Sequence, residues 1–169
     1  MKKIMLLFVL GASLSFLMSC KKTEDSTKLT VLLTDGPIDA QEVNVEINEV
    51  KVNFRDDSTG WVSLSTTPGV YDLLKLQNGV TTPLATGTYP TSNIVKEIRF
   101  VLGTKNTIKV KDVVYPLTIP SGGDSGLKIK VGKQLANSLD SLTIDFDAAL
   151  SIKDDGAGIY KLSPVLKVK

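Results

Sequence analysis

From Leu29 onward, apolar and polar residues alternate with a period of two. "KLTVLL" (28–33) reads as an apolar strand. In "EVNVEINEVKVNF" (42–54), Val43, Val45 and Ile47 alternate, and then Val50, Val52 and Phe54 alternate in the opposite phase. Successive side chains on a strand point to opposite faces. A phase change within one strand therefore predicts a β-bulge or bend near Asn48–Glu49. "DDSTG" (56–60) is a turn and "WVSL" the strand after it, which together make a hairpin.

Further alternations follow. Ile98, Phe100 and Leu102 form one set in "KEIRFVLG", and Ile108 and Val110 precede a turn near Lys111–Asp112 and the strand "VVYPLTIP". Leu127, Ile129 and Val131 form another set, and so do Leu142, Ile144 and Phe146. A last hairpin has Leu150 and Ile152 before "DDGAG" and Tyr160 and Leu162 after it, and "PVLKVK" closes the chain. "GVYDLLKL" (69–76) fits a strand or a single helical turn, and "VGKQLANSL" (131–139) has room for one helical turn. Roughly nine or ten short strands separated by Gly, Pro, Asp and Asn turns predict an all-β fold. The expected architecture is an antiparallel, Greek-key-like β-sandwich in a single domain, residues 29–169.

The first residues follow a different rule. Lys2 and Lys3 precede the apolar run Ile4–Met18, and Ser19 and Cys20 come next. A positive start, a short apolar stretch and a small residue before the cut make a secretory signal, here residues 1–19. The run is short for a membrane-spanning helix, which needs roughly 20 apolar residues. Leu17-Met18-Ser19-Cys20 resembles the bacterial lipobox, in which the cysteine thiol receives a lipid. Cys20 is the only cysteine of the chain, so it is the expected lipidation site and the link to a membrane. Residues 20–28 then hold the lipidated cysteine and a polar, flexible tether. Lys21 after the cysteine looks like an outer-membrane destination, on the periplasmic or the surface face. Glu24 and Asp25 faintly resemble the acidic tags of surface-exported lipoproteins in Bacteroidota.

Composition narrows the chemistry. Without residues 1–19 the chain keeps 150 residues, and losing Lys2 and Lys3 leaves 18 basic against 18 acidic side chains. That balance argues against nucleic acid, which demands a concentrated basic surface. The chain contains no histidine, which removes Ser-His-Asp and Cys-His catalysis and the usual zinc sites. "GDSG" (123–126) resembles a serine-protease signature, but Ser125 has no imidazole base. A Ser-Lys dyad with Lys128 or Lys130 competes with the plainer reading of a glycine-rich turn.

"DFD" places Asp145 and Asp147 on one expected strand face, with Ile144 and Phe146 turned into the core. A hydrolytic carboxylate pair would require a cleft that raises one pKa. Calcium suits these oxygens better. Asp35 and Asp39, flanking the Gly-Pro turn of "TDGPID", complete the candidate set of Asp35, Asp39, Asp145 and Asp147. The competing reading is an Asx turn at Asp35 and a solvated Asp39. No other cofactor is expected. Trp61, Tyr71, Tyr89, Tyr115 and Tyr160 are candidates for a sugar-stacking platform, although aromatics on strands also fill cores.

"LTDGPID", "GWVSL", "YDLLKLQNG", "EIRFVLG", "IPSGGDSGLKIK", "TIDFDA" and "YKLSPVLKV" occur in that order. The ordered set resembles the bacterial lipoprotein family catalogued as domain of unknown function 4382, from about Leu29 to Val168. Gly36 stands where the family has an alanine, and "YPTSNIVKEIR" is longer than the usual approach to the Ile-Arg pair. The resemblance implies an extracytoplasmic β-sandwich on a lipid anchor, with no activity attached. The expectation is a non-enzymatic, membrane-anchored envelope protein with a binding or assembly role. Glycan binding, an adhesin or pilus-like subunit using a sheet edge, and a carboxylate-dependent hydrolase are the three specific versions.

Overall fold

The computed structural model describes residues 25–120 and 126–169. Cys20, most of the tether and Ser125 lie outside these residues. β1 (Ser26–Thr34) begins three residues before the expected domain start, so Ser26–Lys28 belong to the sheet rather than to a tether. The chain continues through β2 (Glu42–Asn53), β3 (Trp61–Ser63), β4 (Ser65–Thr66), β5 (Gly69–Asp72) and a 3-10 turn at Leu73–Leu76. The stretch that fitted a strand or a helical turn is thus a strand followed by a turn. β6 (Thr82–Pro90), β7 (Ile94–Leu102), β8 (Thr107–Val110), β9 (Val113–Thr118), β10 (Leu127–Gln134) and β11 (Leu139–Phe146) follow. A four-residue helix, α1 (Ala148–Ser151), precedes β12 (Ile152–Asp154), β13 (Tyr160–Leu162) and β14 (Leu166–Val168). Leu150 therefore sits in α1 and not in the last hairpin, and residues 131–139 contain strand in place of a helical turn.

Two sheets form a sandwich. The smaller has the order β14-β11-β1-β6-β4, and the larger has β10-β7-β2-β8-β9-β13-β12 with β3 and β5 added beside β2. Fourteen strands among the described residues exceed the expected nine or ten, because several have only two or three residues. The sheets are mixed, not purely antiparallel: β1 runs parallel to β11, and β13 parallel to β9. Period-2 alternation reports a face and carries no direction, so sequence patterning could not reveal this.

β2 organises the larger sheet. One of its edges takes β5 and β3, and the other takes β8 and β7. Its register against β7 slips between Ile47 and Glu49, where the phase change predicted a bulge. The slip keeps Val43, Val45 and Ile47 as well as Val50 and Val52 fully buried. Between the sheets these residues meet Leu29, Val31, Leu33, Phe100, Ile144 and Phe146 in one continuous core. Burying one such side chain is worth roughly 1.5–3 kcal/mol. The corner from β7 to β8 is fastened by buried Asn106, whose side-chain oxygen accepts from the Glu46 amide at 2.9 Å while its Nδ2 donates to the Gly103 carbonyl at 2.8 Å.

The outermost strands of the two sheets are short or charged. β4 has two residues, and β12 and β14 have three each. β10 is longer, but it carries Lys128, Lys130 and Lys133 and shifts register between Lys130 and Lys133. Lysines, bulges and short strands are the devices that stop edge-to-edge pairing.

Candidate functional site

The parallel pair β1/β11 brings Asp35 and Asp145 together. Thr34 lies opposite Asp145, and Asp35 follows at the end of β1. Asp35 is 2% exposed and Asp145 7%, so neither carboxylate faces open water. Asp35 Oδ1 accepts from the Ala148 amide at 3.0 Å. Its Oδ2 and Asp145 Oδ1 are buried without a partner among the described residues. Burial pushes the Asp35 carboxyl up to about 6, against the Ala148 hydrogen bond and the nearby Gly36 and Gln77 amides, and the charge of Asp145 pushes the same way as burial.

Lysines already supply positive charge there. Lys169 Nζ stands 3.1 Å from Asp145 Oδ2, and Lys167 Nζ stands 2.5 Å from Asp147 Oδ2. Asp147 has left the strand and caps α1, with its Oδ1 accepting from the Leu150 amide at 3.0 Å. The hydrogen bond from Lys167 holds its carboxyl below the usual range. Asp39 is exposed and takes no part. The expected four-carboxylate set is therefore divided into a buried pair, a helix cap and a solvated residue. Among the described residues no group of three or more His, Cys, Asp or Glu side chains is placed to hold a metal ion. The expectation that Asp145 and Asp147 share a water-facing strand surface is corrected too, because the strand stops at Phe146.

The aromatic candidates are also dispersed. Tyr89 packs on Phe54 with ring centroids 4.7 Å apart, and Tyr115 packs on Tyr160 at 5.1 Å. The Tyr71 hydroxyl donates to the Thr67 carbonyl. All four tyrosines are partly buried against the core, so the five residues do not form one platform. Trp61 is different. It sits opposite Asn53 on β3, in phase with the outward row of β2, and the Arg99 guanidinium lies 4.1 Å from its ring centroid. Such a cation–π contact is worth about 0.5–1 kcal/mol where exposed and about 2 or more where dry. Sequence patterning had no means of pairing Trp61 with Arg99, since two strand interfaces separate them.

Around that stack the outer face of the larger sheet is polar. Lys51 lies opposite Arg99 and Ser63, and Glu49 pairs with Lys51 at 3.1 Å. Lys128 and Lys130 on β10 lie opposite Arg99 and Glu97. At the β10 bulge, Asp56, Lys96, Glu97, Lys130, Val131 and Gly132 line an open groove of about 460 Å³. A separate apolar pocket of about 310 Å³ lies between Leu102, Ile119, Leu127, Leu162 and two prolines, and it contains no titratable side chain.

Two packed sheets, carboxylates tied to lysines and caps, and one aromatic–guanidinium stack on a polar strand face characterise this β-sandwich. The family model described as Domain of unknown function (DUF4382) matches residues 26–164, and the chain belongs to that family. No curated protein matches the chain, and neither does any solved structure.

Proposed function

We propose that this chain is a non-enzymatic envelope protein, lipid-anchored to the outer membrane at Cys20, that captures a glycan on the outer face of its larger sheet. The observation that carries the binding reading is the half-exposed Trp61–Arg99 stack on a polar strand face. Sugars are recognised by an aromatic surface under the ring and charged or amide groups at its edge, and Lys51, Glu49, Glu97 and Ser63 stand nearby. The anchor reading rests on the lipobox-like run at Leu17–Cys20.

The adhesin or pilus-like version would dock a foreign strand on a free edge. The two-residue and three-residue edges and the lysine-bearing β10 weigh against it. The hydrolase version requires a carboxylate facing substrate, whereas Asp147 caps a helix and Asp145 is buried beside Lys169.

The test is affinity electrophoresis of the full-length protein in gels containing a panel of neutral and acidic polysaccharides. At least one should retard the wild type. Trp61→Ala should weaken that retardation by about tenfold, the effect of losing roughly 1.4 kcal/mol of ring contact. Equal mobility of wild type and variant in every gel removes the reading.

A further inference from the structure

We propose that the glycan taken by this face is acidic, a polysaccharide with carboxylate or sulfate groups that meets the cross-strand row Lys128–Arg99–Lys51. This inference rests on the glycan reading above and narrows it. Lys128 on β10 is the register partner of Arg99 on β7, and Arg99 is the partner of Lys51 on β2. Each is out of phase with its strand's core residues, Ile98 and Phe100 on β7 and Val50 and Val52 on β2. The three side chains therefore share the outer face. Like charges directly opposite one another across strands repel, so the row lowers the stability of the sheet that carries it.

The protein offsets this repulsion only in part. Lys51 has Glu49. Lys128 is exposed and has no carboxylate within 4.0 Å among the described residues. Arg99 rests on Trp61 with no acid in reach among those residues, and its Nε is buried without an acceptor. Native structures rarely leave such a donor unpaired. The neighbouring row reads Lys130–Glu97–Asn53–Trp61. With Glu49 included, the patch holds four cations and two acids. The other half of the same face is balanced, with Lys105 on Glu46 and Lys75 on Asp72. The surplus is local to the aromatic stack.

An acidic polysaccharide fits this surface better than other polyanions. Neighbouring strands lie about 4.8 Å apart, comparable with one sugar residue of an extended chain, so successive acid groups can meet successive cations. A bilayer surface would require an apolar stripe within the basic one, and these two rows contain no exposed aliphatic side chain. Nucleic acid requires a larger positive field than two surplus charges.

The experiment compares the full-length protein in gels of polygalacturonate, sulfated dextran, neutral dextran and neutral mannan. Retardation by polygalacturonate or sulfated dextran is expected, and it should fall at least about tenfold as salt rises from about 0.05 to about 0.5 M. Lys128→Gln lies on an exposed strand edge. It should weaken acidic-glycan binding severalfold without lowering the melting temperature, which relief of the repulsion holds or slightly raises, and Lys51→Gln should add to the loss. Binding to a neutral glycan alone, unmoved by Lys128→Gln, overturns the acidic assignment and leaves the glycan reading standing. No binding to any of the four, in any salt, removes both. Single-stranded DNA binding as tightly as polygalacturonate also overturns the proposal, because charge alone would then account for it.

Discussion

Asp35 shows how one residue's chemistry depends on distant chain. "TDGPID" marks it as a turn carboxylate, and nothing local announces burial. It is buried because β1 pairs in parallel with β11, more than a hundred residues away. Its carboxyl is raised from 3.8 to about 6, so the folded state holds its proton more tightly than the unfolded chain does. That stabilisation is complete below about pH 4 and is lost as pH rises through about 6, a change of roughly 2–3 kcal/mol. Asp147 acts oppositely, because its lowered carboxyl stabilises at neutral pH and loses that effect under acid. Asp35→Asn keeps an oxygen for the Ala148 amide and places a donor where Oδ2 was unpaired. We expect it to raise the melting temperature at pH 8 and to flatten the decline between pH 4 and 6, measured by thermal denaturation across that range. A wild-type melting temperature independent of pH there would contradict the assignment. Asn106 was equally silent in sequence: "GTKNT" reads as an ordinary turn, and only the folded corner reveals its two buried hydrogen bonds.

At the scale of elements, local pattern carried far. The β2 phase change located its bulge, and the hairpins β2/β3, β8/β9 and β12/β13 lie where turn residues punctuate alternation. At the β8/β9 turn, Lys111 and Asp112 have φ of 49° and 64°, the left-handed pair that a two-residue hairpin loop demands. β6 escaped detection. "TPLATGTYP" holds two prolines and several small residues, and its order comes from pairing with β1. The bulge offers a sharp test. Deleting Asn48 would make the alternation continuous, so that Val43, Val45, Ile47, Val50 and Val52 fall on one face of a strand without a bulge. We expect urea denaturation to show a loss smaller than the roughly 1.5–3 kcal/mol that expelling even one of these side chains would cost, because all five stay on the core face; a larger loss would contradict the bulge assignment. Asn48→Ser, which keeps the extra residue, should cost under about 0.5 kcal/mol at this exposed site.

For the whole molecule, attachment and folding are expected to separate. β1 starts at Ser26, so the chain between Cys20 and the first sheet residue is only a few residues long. Cys20→Ala should release the protein from the membrane fraction while its melting temperature stays the same, checked by fractionation and palmitate labelling. A variant that remains in the membrane would contradict the anchor.

The sequence by itself determined what short-range physics controls: most strand positions, the bulge, the hairpin turns and the absence of any imidazole base. Only the tertiary structure decided which strands run parallel, which carboxylates lose water, and that Arg99 meets Trp61 across β2. Those outcomes depend on pairings between residues far apart in the chain, and a period of two specifies a face without naming the partner that covers it.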